Sequence, residues 1–242
     1  MDDALREILV RSRRVVFFGG AGVSTESGIP DFRSAEGLYR QESGVNYPPE
    51  EVMSRSFFLT HPEEFFAYYK TRLVHHDAQP NPAHRGLAHL ESTGKLIAVV
   101  TQNIDGLHQK AGSKNVLELH GSVQRNYCVD CDKRYPLSFI IASAGVPTCE
   151  SCSGIVRPDV VLYEEALDPS VWSRAVGTIA QADTLIVGGT SLAVYPAAGL
   201  LDFFAGSDLV LINKEPTPAD RIATYAIQAP IGEVLGGLGE LA

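Results

Sequence analysis

The stretch Val15-Val16-Phe17-Phe18-Gly19-Gly20-Ala21-Gly22-Val23-Ser24, VVFFGGAGVS, decides how this chain folds. Four consecutive apolar residues, two of them β-branched, read as a short strand covered on both faces. Glycines placed directly behind such a strand make a tight turn where backbone amides can approach a phosphate, above all when a helix follows. The turn does not complete the usual dinucleotide fingerprint. Counted as G-x-G-x-x-G from Gly20, it keeps Gly22 but has Thr25 at the third glycine position. Taken alone, it reads equally well as a strand-to-helix turn with no ligand.

Working outward, the runs Leu96 to Val100, Val116 to Leu119, Val160 to Tyr163, Leu185 to Val187 and Leu209 to Ile212 are also short and apolar, and they alternate with helical patterns. This predicts an α/β fold, a Rossmann-like doubly wound parallel sheet with helices on both faces. Met1 to Arg14 carries Ala4, Leu5, Ile8 and Leu9 on one face of a leading amphipathic helix. Asn81-Pro82 and Asp168-Pro169 mark two further helix starts, cap followed by proline at the first helical position. Two stretches break the alternation. Residues 34–76 hold aromatic residues at helical spacing, and residues 121–157 hold every cysteine. We therefore expect a large domain from residues 1–33, 77–120 and 158–242, and a small helical and zinc-ribbon domain from 34–76 and 121–157.

A formal net charge of -9 opposes the phosphate attraction behind non-specific nucleic-acid affinity. No direct nucleic-acid partner is expected; a basic peptide suits this charge better. No apolar run approaches the roughly 20 residues needed to span a bilayer, and no secretory signal is recognisable. The expectation is a cytoplasmic monomer without membrane contact.

Cys128-Val129-Asp130-Cys131 and Cys149-Glu150-Ser151-Cys152 are two C-x-x-C pairs with 17 residues between them. That spacing lets two knuckles converge on one tetrahedral Zn²⁺. Four thiolates would leave no coordination position for water, so the metal would be structural.

Five pieces, in order, carry a family resemblance: GAGVSTESGIPDFR from Gly20, Thr101-Gln102-Asn103-Ile104-Asp105, Leu117-Glu118-Leu119-His120-Gly121-Ser122, the two C-x-x-C pairs, and Gly188-Gly189-Thr190-Ser191-Leu192 with Val194-Tyr195-Pro196-Ala197-Ala198. Together they resemble the sirtuins, NAD-dependent protein-lysine deacylases, over about Arg14 to Glu233. The resemblance implies that NAD and an acyl-lysine peptide meet between the large and small domains, that nicotinamide is released, and that O-acetyl-ADP-ribose forms.

By position, the resemblance makes His120 the base and Asn103 a second catalytic residue that orders the ribose with Gln102. Asp105 and the Ile104 backbone would hold the nicotinamide carboxamide. Phe32 would shield the reactive ribose from water, with Asp31 and Arg33 beside the cofactor. Gly20, Ala21, Gly22, Ser24, Gly189, Thr190 and Ser191 would surround the pyrophosphate. Asn213, Lys214 and Glu215 would reach the adenosine end, and Ile231 completes the cofactor set. Val160, Val161, Leu162 and Tyr163 correspond to the strand that pairs with the peptide. Here Tyr163-Glu164-Glu165 departs from the Phe-Gly-Glu common among relatives, and two adjacent carboxylates would favour basic residues around the target lysine.

His61, His75, His76, His84 and His89 read as solvated or packed residues, and His108 as part of a helical turn. Tyr69-Lys70-Thr71-Arg72 has the Tyr-x-x-Arg spacing of relatives that remove succinyl or malonyl groups, although any Tyr and Arg at i, i+3 share one exposed helix face. Acidic-acyl removal, ADP-ribosyl transfer to protein and a non-catalytic NAD-binding module stand as alternatives. A hydride-transferring dehydrogenase is disfavoured by the broken fingerprint and by the lack of an acidic residue about 20 positions after the glycines.

Overall fold

The computed structural model of the protein describes residues 2–41 and 44–240. The chain begins α1 (Asp3–Arg11), β1 (Val15–Gly19), α2 (Pro49–Val52), α3 (Arg55–Thr60), α4 (Pro62–Tyr68), α5 (Pro82–Ser92) and β2 (Leu96–Thr101). It continues α6 (Leu107–Ala111), β3 (Val116–Glu118), β4 (Gly121–Cys128), β5 (Arg134–Pro136), α7 (Leu137–Ala142) and β6 (Val156–Val160). It ends α8 (Pro169–Ala180), β7 (Thr184–Gly188), β8 (Asp208–Asn213), β9 (Tyr225–Gln228) and α9 (Ile231–Leu235).

Six strands form one parallel sheet in the order β3-β2-β1-β7-β8-β9. The order reverses between β1 and β7, which makes their carboxyl ends the switch point where doubly wound sheets bind ligands. Alternation along β1 separates the two cores. Val15 and Phe17 pack with Leu5 and Leu9 of α1, Leu87 of α5 and Leu235 of α9. Val16 and Phe18 pack with Ala175 and Ile179 of α8 and with Leu200. The caps at Asn81 and Asp168 form as expected, each side chain accepting from two helical N–H groups.

A third cluster joins Phe57, Phe58, Phe65, Phe66 and Tyr69 to Cys128, Tyr135, Cys149 and Val156 of the cysteine-bearing segment. There β4 lies between β5 and β6 in an antiparallel three-stranded sheet. Among the described residues, no helix is long and apolar enough to cross a membrane.

Three expectations are corrected and one strand is added. Val160–Tyr163 is not a strand of the parallel sheet: β6 stops at Val160, pairs with β4, and belongs to the small antiparallel sheet. Its apolar residues are buried against the aromatic cluster, which gives the same sequence pattern as a strand covered by helices. No α-helix follows the glycine turn; two single 3₁₀ turns, Ala21–Val23 and Thr25–Ser27, end at Gly28 in the left-handed region. Ala4 is exposed while Leu5, Ile8 and Leu9 carry the buried face of α1. The edge strand β9, with its half-exposed Tyr-Ala-Ile-Gln pattern, lacked the apolar signal that marked its neighbours.

Candidate active site

A cleft of about 980 Å³ opens at the carboxyl ends of β1, β2, β7 and β8 and extends to the segment after β6. Every cofactor and peptide residue expected from the sequence lines it, including Asp31, Phe32, Arg33, Ser191, Lys214, Glu215 and Ile231.

The glycine turn is built for loop-on-loop contact. The Gly22 N–H donates to the Gly189 carbonyl at 2.8 Å, and the Gly20 N–H to the Gly188 carbonyl at 3.3 Å. A Cβ at Gly22 would lie 2.8 Å from the Gly189 Cα, and one at Gly20 would lie 2.8 Å from the Thr190 Cβ. These two glycines therefore interlock the turns after β1 and β7, and their amides already have partners. Ser24, expected near the pyrophosphate, lines the cleft, where it donates to Asp105 Oδ2 at 2.6 Å and accepts from Asn103 Nδ2 at 3.1 Å. Burial raises the Asp105 carboxyl above its ordinary value, opposed by the Ser24 hydroxyl and by the Leu107 N–H at 2.8 Å.

His120 follows β3. Its Nδ1 lies 3.0 Å from the Gln102 carbonyl. A carbonyl only accepts, so Nδ1 carries the proton and Nε2 carries the lone pair. Burial pushes the imidazole below its ordinary value, opposed by the bond to Gln102. The Gln102 Nε2 donates to Thr190 Oγ1 at 3.1 Å, and the Asn213 Nδ2 donates to the Thr190 carbonyl at 3.2 Å. Three strand ends are thereby cross-linked around the cleft.

The two carboxylates after Tyr163 both line the cleft and both have partners within the protein. Glu165 takes two bonds from Arg157, at 2.6 and 2.9 Å, and one from the Leu162 N–H at 2.9 Å. Glu164 accepts from the N–H and hydroxyl of Ser56, each at 2.9 Å. Glu164 also keeps a left-handed φ of 75°, the conformation a glycine adopts without strain. The backbone of Tyr163 is occupied too, its N–H bonded to Met53 and its carbonyl to Arg55.

Tyr69 does not share an exposed face with Arg72. Its ring is 1% exposed and stacks on Phe65 at 5.8 Å, whereas Arg72 lines the cleft. Arg72 thus faces the cleft without Tyr69 beside it. Residues 69–73 form a π-helical turn, which breaks the i, i+3 geometry assumed from sequence. Cleft residues missed from sequence include Tyr39 and His75. Tyr39 was hidden because nothing in its spacing sets it apart; only its contacts with Phe32 and Tyr163 do.

The four cysteines converge, with all Sγ atoms within 4.8 Å of one another and the nearest pairs at 3.4 and 3.6 Å. A tetrahedron of Zn–S bonds of about 2.3 Å has edges of about 3.8 Å, so the group is positioned to bind one zinc ion with no place for water. The Tyr135 hydroxyl donates to Cys149 Sγ at 3.1 Å and accepts from the Glu150 N–H at 3.0 Å, an outer bond that sequence spacing did not reveal.

Residues 20–196 match the Sir2 family, three quarters of the chain and most of the cleft wall. The chain belongs to the Sir2 family. It is 60% identical over 240 residues to an NAD-dependent protein deacetylase of Clostridium perfringens, covering 98% of each chain, and 57% identical over 232 residues to one of Clostridium acetobutylicum, covering 96% and 95%. Among solved Sir2 structures, it superposes on a Sir2 homologue in complex with NAD with a TM-score of 0.89 at 38% identity, covering 99% and 93%. It also superposes on a Sir2 variant with a deacetylated p53 peptide and 3′-O-acetyl ADP-ribose, with a TM-score of 0.90 at 40% identity, covering 98% and 97%.

Proposed function

We propose that this Sir2-family chain is an NAD-dependent protein-lysine deacetylase that releases nicotinamide and forms O-acetyl-ADP-ribose. The observation that carries the reading is His120, whose protonated Nδ1 is fixed on the Gln102 carbonyl in the wall of a cleft shared by every other expected cofactor and peptide residue. NAD, when bound, supplies an electrophilic ribose carbon and a hydroxyl to be deprotonated. The burial that lowers the His120 pKa keeps the imidazole neutral near pH 7, so Nε2 can accept that proton. Asn103, held by Ser24, orders the sugar; Asp105, held by Ser24 and Leu107, presents a fixed carboxyl to the carboxamide. Phe32 covers the reacting face and keeps water away. Val160, Val161, Leu162 and Tyr163 wall the peptide side. Residues 1–33, 77–120 and 158–242 form the large domain and 34–76 with 121–157 the small one; Tyr39, Met53 and Arg72 of the small domain line the cleft opposite the strand ends.

The names of the relatives and the peptide-bound and NAD-bound neighbours support this assignment. Cysteines gathered as a metal-ligand group suit a reducing compartment such as the cytoplasm, and we propose a monomer there. The test is incubation of the protein with NAD and an acetyl-lysine peptide, measuring nicotinamide and free lysine together. Equal, strictly NAD-dependent release of both is expected. Nicotinamide release with ADP-ribose mass added to protein, or no release of lysine, would overturn the assignment.

A further inference from the structure

Tyr163 brings a phenolic hydroxyl to the wall of the cleft, and the structure uses that hydroxyl. The Tyr163 Oη lies 2.5 Å from the Tyr39 Oη. The Tyr39 ring in turn packs on Phe32, centroids 5.5 Å apart at 59°, and the Arg33 guanidinium sits 5.4 Å above the Tyr39 ring. Backbone bonds reinforce the pairing of the two short segments. The Leu38 N–H donates to the Asp31 carbonyl at 2.7 Å, and the Tyr39 N–H to the Phe32 carbonyl at 3.0 Å. Asp31 Oδ1 accepts from the N–H groups of Arg33 and Ser34, which fixes the turn between them.

The other end is equally anchored. The Tyr163 N–H donates to the Met53 carbonyl and its carbonyl accepts from the Arg55 N–H, both at 3.0 Å, so its ring leaves a backbone that is held on both sides. Glu164 extends the anchor through Ser56. A fixed point on the peptide wall is thus one hydroxyl pair and one ring contact away from Phe32. Both rings line the cleft, and burial together with the paired hydroxyl raises the Tyr39 phenol above its ordinary value, which keeps it protonated and able to share that bond.

We infer that the Tyr163–Tyr39 hydroxyl bond is a latch that holds Phe32 over the cofactor side of the cleft, making Tyr163 and Tyr39 positioning residues for NAD. This rests on the reading of the cleft given above. In this chain the peptide wall and the cofactor cover are therefore mechanically joined, and a phenylalanine at 163 removes the joint while keeping the aromatic wall.

The experiment is a double-mutant cycle with Tyr163→Phe, Tyr39→Phe and the double variant, measured with NAD and an acetyl-lysine peptide at varied concentrations of each. Each single variant is expected to raise the KM for NAD about three- to tenfold, the range a net hydrogen bond supplies, with kcat at saturating NAD within about twofold of wild type. The double variant should be no worse than either single one, because both remove the same bond. Additive effects, an effect confined to the peptide KM, or an unchanged NAD KM would overturn the latch. If the wild-type protein turns over no peptide, the proposed function fails instead. The same cycle read as ADP-ribose affinity by calorimetry then still tests the latch: loss of affinity in both singles without further loss in the double supports it, and equal affinities refute it.

Discussion

His84 lies fully buried at the start of α5, where its Nδ1 accepts the Asn81 N–H at 3.3 Å and completes a reciprocal cap. Its ring contacts that of His108 at 4.7 Å, and Arg85 adds positive charge nearby. Burial, and then Arg85, push its pKa from 6.5 down to about 4. The folded protein thus binds this proton more weakly than the unfolded chain does. The associated stability is present above pH 6.5 and is lost as pH falls through about 4. The gap of about 2.5 pH units corresponds to about 3 kcal/mol in total, of which about 2.5 kcal/mol is lost between about pH 7 and pH 4.5. His84→Gln keeps a side-chain acceptor for the Asn81 N–H, as a capping-box glutamine does, and cannot titrate. Urea unfolding of both proteins at pH 7 and 4.5 isolates this proton, since zinc loss and carboxylate protonation are common to the pair. The variant should lose about 2 kcal/mol less stability on acidification than wild type. Parallel loss in the two proteins would refute the claim that a neutral, dry His84 contributes to acid sensitivity.

His120→Ala should lower kcat/KM by about 10² to 10⁴ with the circular-dichroism spectrum unchanged. In wild type, the lowered imidazole pKa predicts that kcat/KM rises with pH through a midpoint below 6.5 and is level above it; a midpoint above 6.5 would contradict the buried, neutral base. Cys131→Ser or a strong chelator should reduce bound zinc from one ion per chain and unfold the three-stranded sheet, seen as lost amide protection in β4 to β6, whereas a metal-free chain with intact protection would refute the structural role. Glu164→Gly should relieve about 1 kcal/mol of left-handed strain while losing two bonds to Ser56 on a largely exposed surface, for a net change in unfolding free energy within about 1 kcal/mol. Its preference among acidic and basic peptides should stay that of wild type, because that carboxylate is turned onto α3.

The sequence alone determined the parallel sheet, the capped helices at Asn81 and Asp168, the converging cysteines and the set of residues around the cleft. Each of these is written locally, as an apolar run, a cap with its proline, a fixed cysteine spacing, or a motif at a strand end. Tertiary structure alone decided what those residues touch. Val160 ended a strand of the small sheet and Val161–Tyr163 ran on outside any sheet, a difference hidden because burial against an aromatic cluster and burial between helices leave the same apolar pattern. Gly20 and Gly22 met another loop rather than keeping free amides, Ser24 turned to Asp105, and Glu164 and Glu165 found Ser56 and Arg157. Tyr69 went into the core while Arg72 reached the cleft, since a π-helical turn changes the angle between them. Hydrogen-bond partners distant in sequence carry no local periodicity, so only the folded chain could assign them.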